Sequence, residues 1–184
     1  MYVAGFVSGD IARTPDGGLP GQTSLGSVDA FVRKYDATGA EQWTRQFGTT
    51  GADYAYAVAV DATGNIFVGG FTSGIFPGQT SAGGMDLFVR KYDATGVEQW
   101  TRQFGWPGDD HGYSLSVDSA GNVYFVGDFA ASPATQSEPE PIASFLRKYD
   151  PGGPETWTKL LSARTDIYAQ SVAVGSDDAV YVAA

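Results

Sequence analysis

The sequence predicts an all-β chain built as a row of repeated antiparallel sheets, and three observations predict it. First, "FVRKYDATGAEQW" at Phe31 returns as "FVRKYDATGVEQW" at Phe88 and, more divergent, as "FLRKYDPGGPETW" at Phe145, a period of 57 residues. From Phe31 to Gly48 and from Phe88 to Gly105, 17 of 18 positions are identical. Second, each unit holds four short runs with period-2 alternation and little helical periodicity. Third, aromatics at 14% and 25 glycines favour strands and turns over helices. A fixed period of this length marks a solenoid or a propeller.

The middle unit gives the elements in order. "YAYAVAVD" from Tyr54 is the first strand, "NIFVGGFTS" from Asn65 the second, "LFVRKYD" from Leu87 the third and "EQWTRQF" from Glu98 the fourth. "DATGN" (Asp61 to Asn65) joins the first pair and "DATGV" (Asp93 to Val97) the second. Asp opens such turns by accepting nearby amides, and Gly supplies the positive φ they need. Four antiparallel strands in a meander form one propeller blade. Along the first strand, small residues (Ala55, Ala57 and Ala59; Gly112, Ser114 and Ser116; Ala169, Ser171 and Ala173) alternate with mostly bulky ones. That asymmetry predicts an innermost strand with its small residues on one face.

Counting strands gives three, four, four and two, about three and a quarter blades where closed propellers have 4–8. The chain reads as one array, with a partial blade over 1–48, a blade over 49–105, another over 106–163, and the first two strands of a further blade over 164–184. The opening "MYVAGFVSG" lacks the regions of a signal peptide and resembles "IFVGGFTSG" from Ile66, as does the closing "VYVAA" from Val180. Both ends therefore read as stopping inside a repeat. The expectation is either a piece of a longer propeller or a homodimer that closes a ring of about six blades.

The composition excludes some partners. A formal charge of −10 and a pI near 4.3 argue against nucleic acid and anionic membranes. No cysteine is present to form disulfides or thiolate metal sites, and no apolar run approaches the length needed for membrane insertion.

The run "LPGQTSLGSVDAFVRKYDATGAEQWTRQFG", followed by "YAVAVDATGNIFVGGFTSG", resembles the SBBP β-propeller repeat of bacteria and archaea. The resemblance covers nearly the whole chain and is weaker from Ala130 to Ser144 and from Pro151 to Arg164. It implies a propeller and an exported protein, extracellular or at the cell surface, and it carries no catalytic motif.

Blade topology places the short constant turns on one side of the disc and the divergent connections on the other. The divergent ones include the loops from Ser8, Ser73 and Ala131 and the segments "GTTGAD", "GWPGDDH" and "SARTD". Rigid scaffolds carry binding on such loops, so this face is the candidate. Acidic residues recur there before each innermost strand, at Asp53, at Asp109 with Asp110, and at Asp166. They read either as a ring of carboxylates for cations or sugar hydroxyls, or as acceptors of backbone amides that fix the blade crossing. Trp106 breaks the repeat beside them; it can stack on a ligand ring or cover a blade edge. His111 is the only histidine and replaces Tyr54 of the previous unit.

The pairs Arg33 with Arg45, Arg90 with Arg102, and Arg147 with Lys159 read as an anion ladder or as inter-blade packing with the charges turned outward. No nucleophile–base pair, phosphate loop or metal constellation emerges, and no cofactor is expected. The sequence thus predicts a non-enzymatic propeller scaffold with a binding or cell-surface role, for a glycan or protein. The alternatives are a multivalent carbohydrate-binding propeller and part of a larger propeller enzyme.

Overall fold

The computed structural model describes residues 1–8, 18–130, 142–161 and 168–184, and among them it has thirteen strands and no helix. The first sheet is β1 (Tyr2–Ser8), β2 (Val28–Tyr35) and β3 (Glu41–Phe47). The second is β4 (Asp53–Val60), β5 (Ile66–Thr72), β6 (Asp86–Tyr92) and β7 (Glu98–Phe104). The third is β8 (His111–Val117), β9 (Val123–Ala130), β10 (Ile142–Tyr149) and β11 (Glu155–Leu160), and the last is β12 (Ser171–Val174) with β13 (Val180–Ala183). Each sheet is an antiparallel meander in chain order, so the blades are those of a β-propeller. The predicted strands are all present, the first of the two expected over 164–184 running from Ser171 to Val174.

The first strands of successive blades, β4, β8 and β12, lie against one another and form the inner edge. Behind them the blades meet face to face. One apolar cluster joins Ala30, Val32 and Phe47 of the first blade to Ala55, Ile66, Val68, Phe88 and Tyr92 of the second. The next joins Ala57, Phe67, Leu87 and Val89 to Leu115, Phe125 and Phe145 of the third. Neighbouring residues of one strand thus face opposite blades, which is why β5 is buried at every position. Full burial of each Phe in these seams contributes roughly 2 kcal/mol.

The turns repeat as closely as the seams. Oδ1 of Asp36, Asp61 and Asp93 each accepts the amide and hydroxyl of the Thr two residues on and the amide four residues on. Gly39, Gly64, Gly96 and Gly121 follow at φ between 82° and 87°. In the last copy Asp178 takes that position at φ 60°, and its carboxylate accepts the amide and hydroxyl of Ser119 in the preceding blade.

Cations stitch the first blade to the second and the second to the third. Arg45 Nε donates to the Gly96 carbonyl at 2.9 Å and Arg102 Nε to the Gly153 carbonyl at 3.0 Å, each guanidinium lying over its own blade's Trp43 or Trp100. Lys34 and Lys91 reach the Ala94 and Pro151 carbonyls of the same turns. The outward-turned reading fails for Arg90, which is only 6% exposed. Its Cζ lies 4.5 Å from the Phe47 centroid and 4.6 Å from that of Phe76, and Thr101 and Glu98 satisfy its charge inside the seam.

A second correction concerns the innermost strands. β4 and β8 each carry a β-bulge, at Tyr56 and at Tyr113, so the alternation reverses partway along. Ala55 packs toward the first blade while Ala57 packs toward the third. Gly112 lies against Leu87, whereas Ser114 and Ser116 turn the other way and accept the Val172 and Val174 amides of β12. The small residues of these strands therefore do not share one face. Opposite each bulge stands a glycine, Gly70 or Gly127, where a Cβ would overlap the carbonyl oxygen of Tyr54 or His111.

Gly70→Ala is therefore expected to destabilise the array by about 3 kcal/mol in urea unfolding, because backbone must move. Gly39→Ala, which meets open space and carries only the left-handed backbone strain, should cost about 1 kcal/mol. Equal costs would remove the steric explanation.

Candidate ligand-binding face

The divergent connections are held by a constant set of side chains. Gln46 and Gln103, one on β3 and one on β7, receive the Leu19 and Phe76 amides on Oε1. Their own amides donate to Gln22 and Gln79 of the two "PGQTS" segments. Their Nε2 groups donate to Asp29 at 2.7 Å and Asp86 at 2.9 Å. Asp29 also takes the amides of Leu25 and Gly26 and the Ser24 hydroxyl. Parts of the long loops are thus as regular as the turns opposite.

Asp53 and Asp110 are fully buried beside these anchors. Asp53 accepts the Thr49 amide at 2.6 Å and the Thr49 hydroxyl. Asp110 accepts the Trp106 amide at 2.7 Å on one oxygen and the Ala130 amide at 2.9 Å on the other. Asp29 with Asp53 flanks Gly48, and Asp86 with Asp110 flanks Gly105, each glycine leaving space that the two carboxylates share. Asp109 accepts the Met85 amide and so ties the third blade to the start of β6. Asp166 lies outside the described residues.

Trp106 is half-buried and stacks on Phe129 at 5.0 Å and 14°, so one ring face is occupied. His111 meets Phe71 edge-on at 4.8 Å and 80°. No group of three His, Asp or Glu among the described residues is placed to hold a metal.

Sequence reasoning missed an axial cluster at the same end of the array. Phe6 contacts Tyr54 at 4.9 Å and Tyr56 at 5.8 Å, and Tyr56 stacks on Phe71 at 5.3 Å and 16°. Tyr113 follows on the next blade, close enough to Tyr56 and Tyr168 to feel both. Tyr56 is 51% exposed and Phe6 47%, and Tyr168 is also exposed, whereas the seam aromatics are buried. For Tyr56 the bulge accounts for this, since the extra residue turns its side chain off the sheet face. The signal was present in Gly70 and Gly127, glycines inside strands that otherwise read as continuous apolar runs.

The buried acids make stability depend on pH. Burial pushes Asp110 up to about 7 against the pull of its two amides, with Asp86 and Asp109 adding to the rise. Burial likewise raises Asp53, opposed by hydrogen bonds from Thr72 and Thr49. A group raised in the folded state contributes stability that is complete below its unfolded pKa and is lost as pH rises through the folded value. The turn acids Asp36 and Asp93, held low mainly by Thr38 and Thr95, have the opposite sign but act only in the acid range. The melting temperature should therefore fall from about pH 5 to about pH 8. Asp110→Asn, which loses one amide acceptor, should melt lower but with a flatter profile. A wild-type Tm that climbs across this interval contradicts the assignment.

Comparison with known proteins agrees with this architecture. The family model for the SBBP β-propeller repeat matches residues 42–77 and 99–128. The regulatory protein FlaEY of Caulobacter vibrioides is 34% identical over 134 residues, covering 69% of this chain and 14% of that protein. An uncharacterized WD repeat-containing protein, L264, of Acanthamoeba polyphaga mimivirus is 25% identical over 179 residues, covering 76% of this chain and 13% of its own length. The chain thus spans about a seventh of each of these relatives. The two matched segments, their spacing and the four-stranded antiparallel blades make this chain an SBBP-type β-propeller repeat protein.

Proposed function

We propose that this propeller is a non-enzymatic scaffold whose partner engages the axial mouth on the divergent-loop side. The observation that carries the reading is the joint exposure of Phe6 on β1, Tyr56 on the innermost strand β4 and Tyr168 just ahead of β12. Aromatics presented by a rigid scaffold and left in water are the chemistry of interfaces rather than of packing. The name of the relative from Caulobacter vibrioides, a regulatory protein, supports an interaction role over a catalytic one. The buried carboxylates support it too, because Asp53 and Asp110 have their oxygens committed to backbone amides and hydroxyls. Export or surface display, with a glycan or a protein as ligand, belongs to the same proposal.

Glycan and peptide arrays probed with the purified chain test it. Saturable binding to one class is expected, weakened at least ten-fold by Tyr56→Ser, a loss of about 1.4 kcal/mol. The melting temperature of the variant should stay close to that of the wild type, since Tyr56 is half in water. Binding that survives the substitution, or two blank arrays, would remove the axial mouth from consideration.

A further inference from the structure

Three positions of the repeat build each inner junction, and one junction differs chemically from the rest. Phe6, Phe71 and Asp128 occupy one repeat position; Tyr54, His111 and Tyr168 occupy another, and Phe6 and Phe71 meet the first two of these on the next blade. At the first junction Phe6 meets Tyr54 edge-on, with 73° between the rings. At the second Phe71 meets His111 in the same way and also stacks on Tyr56. At the third an acid, Asp128, stands where the ring was, beside Tyr113 of its own blade, which Tyr168 of the next blade also approaches.

Asp128 is 4% exposed. Its Oδ1 accepts the Ser144 hydroxyl at 2.6 Å, while its Oδ2 is buried with no hydrogen-bond partner among the described residues. Burial first, and then the charge of the Asp128 carboxylate and a hydrogen-bonding interaction with it, push the Tyr113 phenol up to about 12, while no donor among the described residues meets Oδ2 itself in hydrogen-bonding geometry. The cations of this blade are engaged elsewhere: Arg147 with Thr158 and Glu155, Lys148 with Asp118, and Lys159 over the Trp157 ring. A buried carboxylate oxygen without a donor is costly, and a charged donor relieves that cost best.

We propose that the axial mouth seats an alkylammonium group, with Asp128 Oδ2 as its acceptor and Tyr113, Tyr168 and Tyr56 as its aromatic walls. This rests on the axial-mouth reading above and names its ligand chemistry. Aromatic faces attract cations, and the attraction grows as water is excluded. Ammonium suits the seat better than guanidinium. With Oδ1 already taken by Ser144, the two-pronged guanidinium fork lacks its second acceptor, whereas an ammonium needs only one.

The probes are n-butylammonium and capped tripeptides with a central lysine, arginine or norleucine, titrated at constant ionic strength and followed by intrinsic fluorescence. Saturable binding of the lysine peptide is expected, at least ten-fold tighter than that of the norleucine peptide and tighter than that of the arginine peptide. Asp128→Asn should weaken it at least ten-fold. Asp128→Phe, which installs the residue of the preceding copies and so keeps the junction packed, should abolish it without lowering the melting temperature. Butylammonium binding as tightly as the peptide assigns the seat to a free amine, and binding by the peptide alone assigns it to a partner's lysine. No saturable binding of either probe, or full affinity in Asp128→Asn, overturns the proposal. If array ligands remain sensitive to Tyr56→Ser in that case, the axial reading stands and only the cation falls. If lysine binding depends on Asp128 while the array ligands are indifferent to Tyr56→Ser, the cation seat stands and those ligands bind elsewhere.

Discussion

Everything in this molecule follows from blades that are apolar on both faces. A sheet with one wet face needs a single partner, but a sheet whose second strand is buried at every position needs one on each side. Phe67 looks toward the third blade while Ile66 and Val68 look toward the first. The second blade cannot bury its own surface, and neither can the others. Its stability is therefore a property of seams, closer to the nearest-neighbour behaviour of stacked repeats than to that of a single globular core. The repeat in the sequence is the covalent record of that requirement, because a seam that works once works again when both its sides are copied.

This explains what was legible beforehand. Strand number, order, pairing and turns are all set by patterns local to about ten residues, and those patterns repeat. "DATG" fixes a turn wherever it occurs because its Asp, Thr and Gly satisfy one another within a few residues. The arginine ladder was legible as packing, but not the depth of Arg90, since burial of a guanidinium depends on rings from the neighbouring blade.

The axial cluster was hidden for a related reason. Strict alternation along "YAYAVAVD" assigns Ala55 and Ala57 to one face, and a single bulged residue separates them. A bulge is a relation between two strands, encoded here by a tyrosine on one and a glycine on the other, 14 residues apart at Tyr56 and Gly70. Neither half is conspicuous alone. Asp128 escaped notice differently: the repeat sets it where Phe71 stands 57 residues earlier, but only its burial and its unpartnered Oδ2 in three dimensions make that exchange of a ring for an acid conspicuous. The acids that did attract attention, Asp53 and Asp110, were visible because they precede strands. Their work is to hold loop amides in place.

The clamps between blades have one more consequence. Arg45 and Arg102 end on peptide carbonyls of the neighbouring turn, not on carboxylates. These are bonds between a charge and a fixed dipole, made at contact distance where no counterion fits between donor and acceptor. Dissolved salt screens separated charges over roughly 10 Å at 0.1 M, and it has little to act on in such a joint. Although the chain carries a formal charge of −10, its blade-to-blade fastening is largely indifferent to the ionic composition around it. The same architecture would hold its geometry in dilute water and in brine.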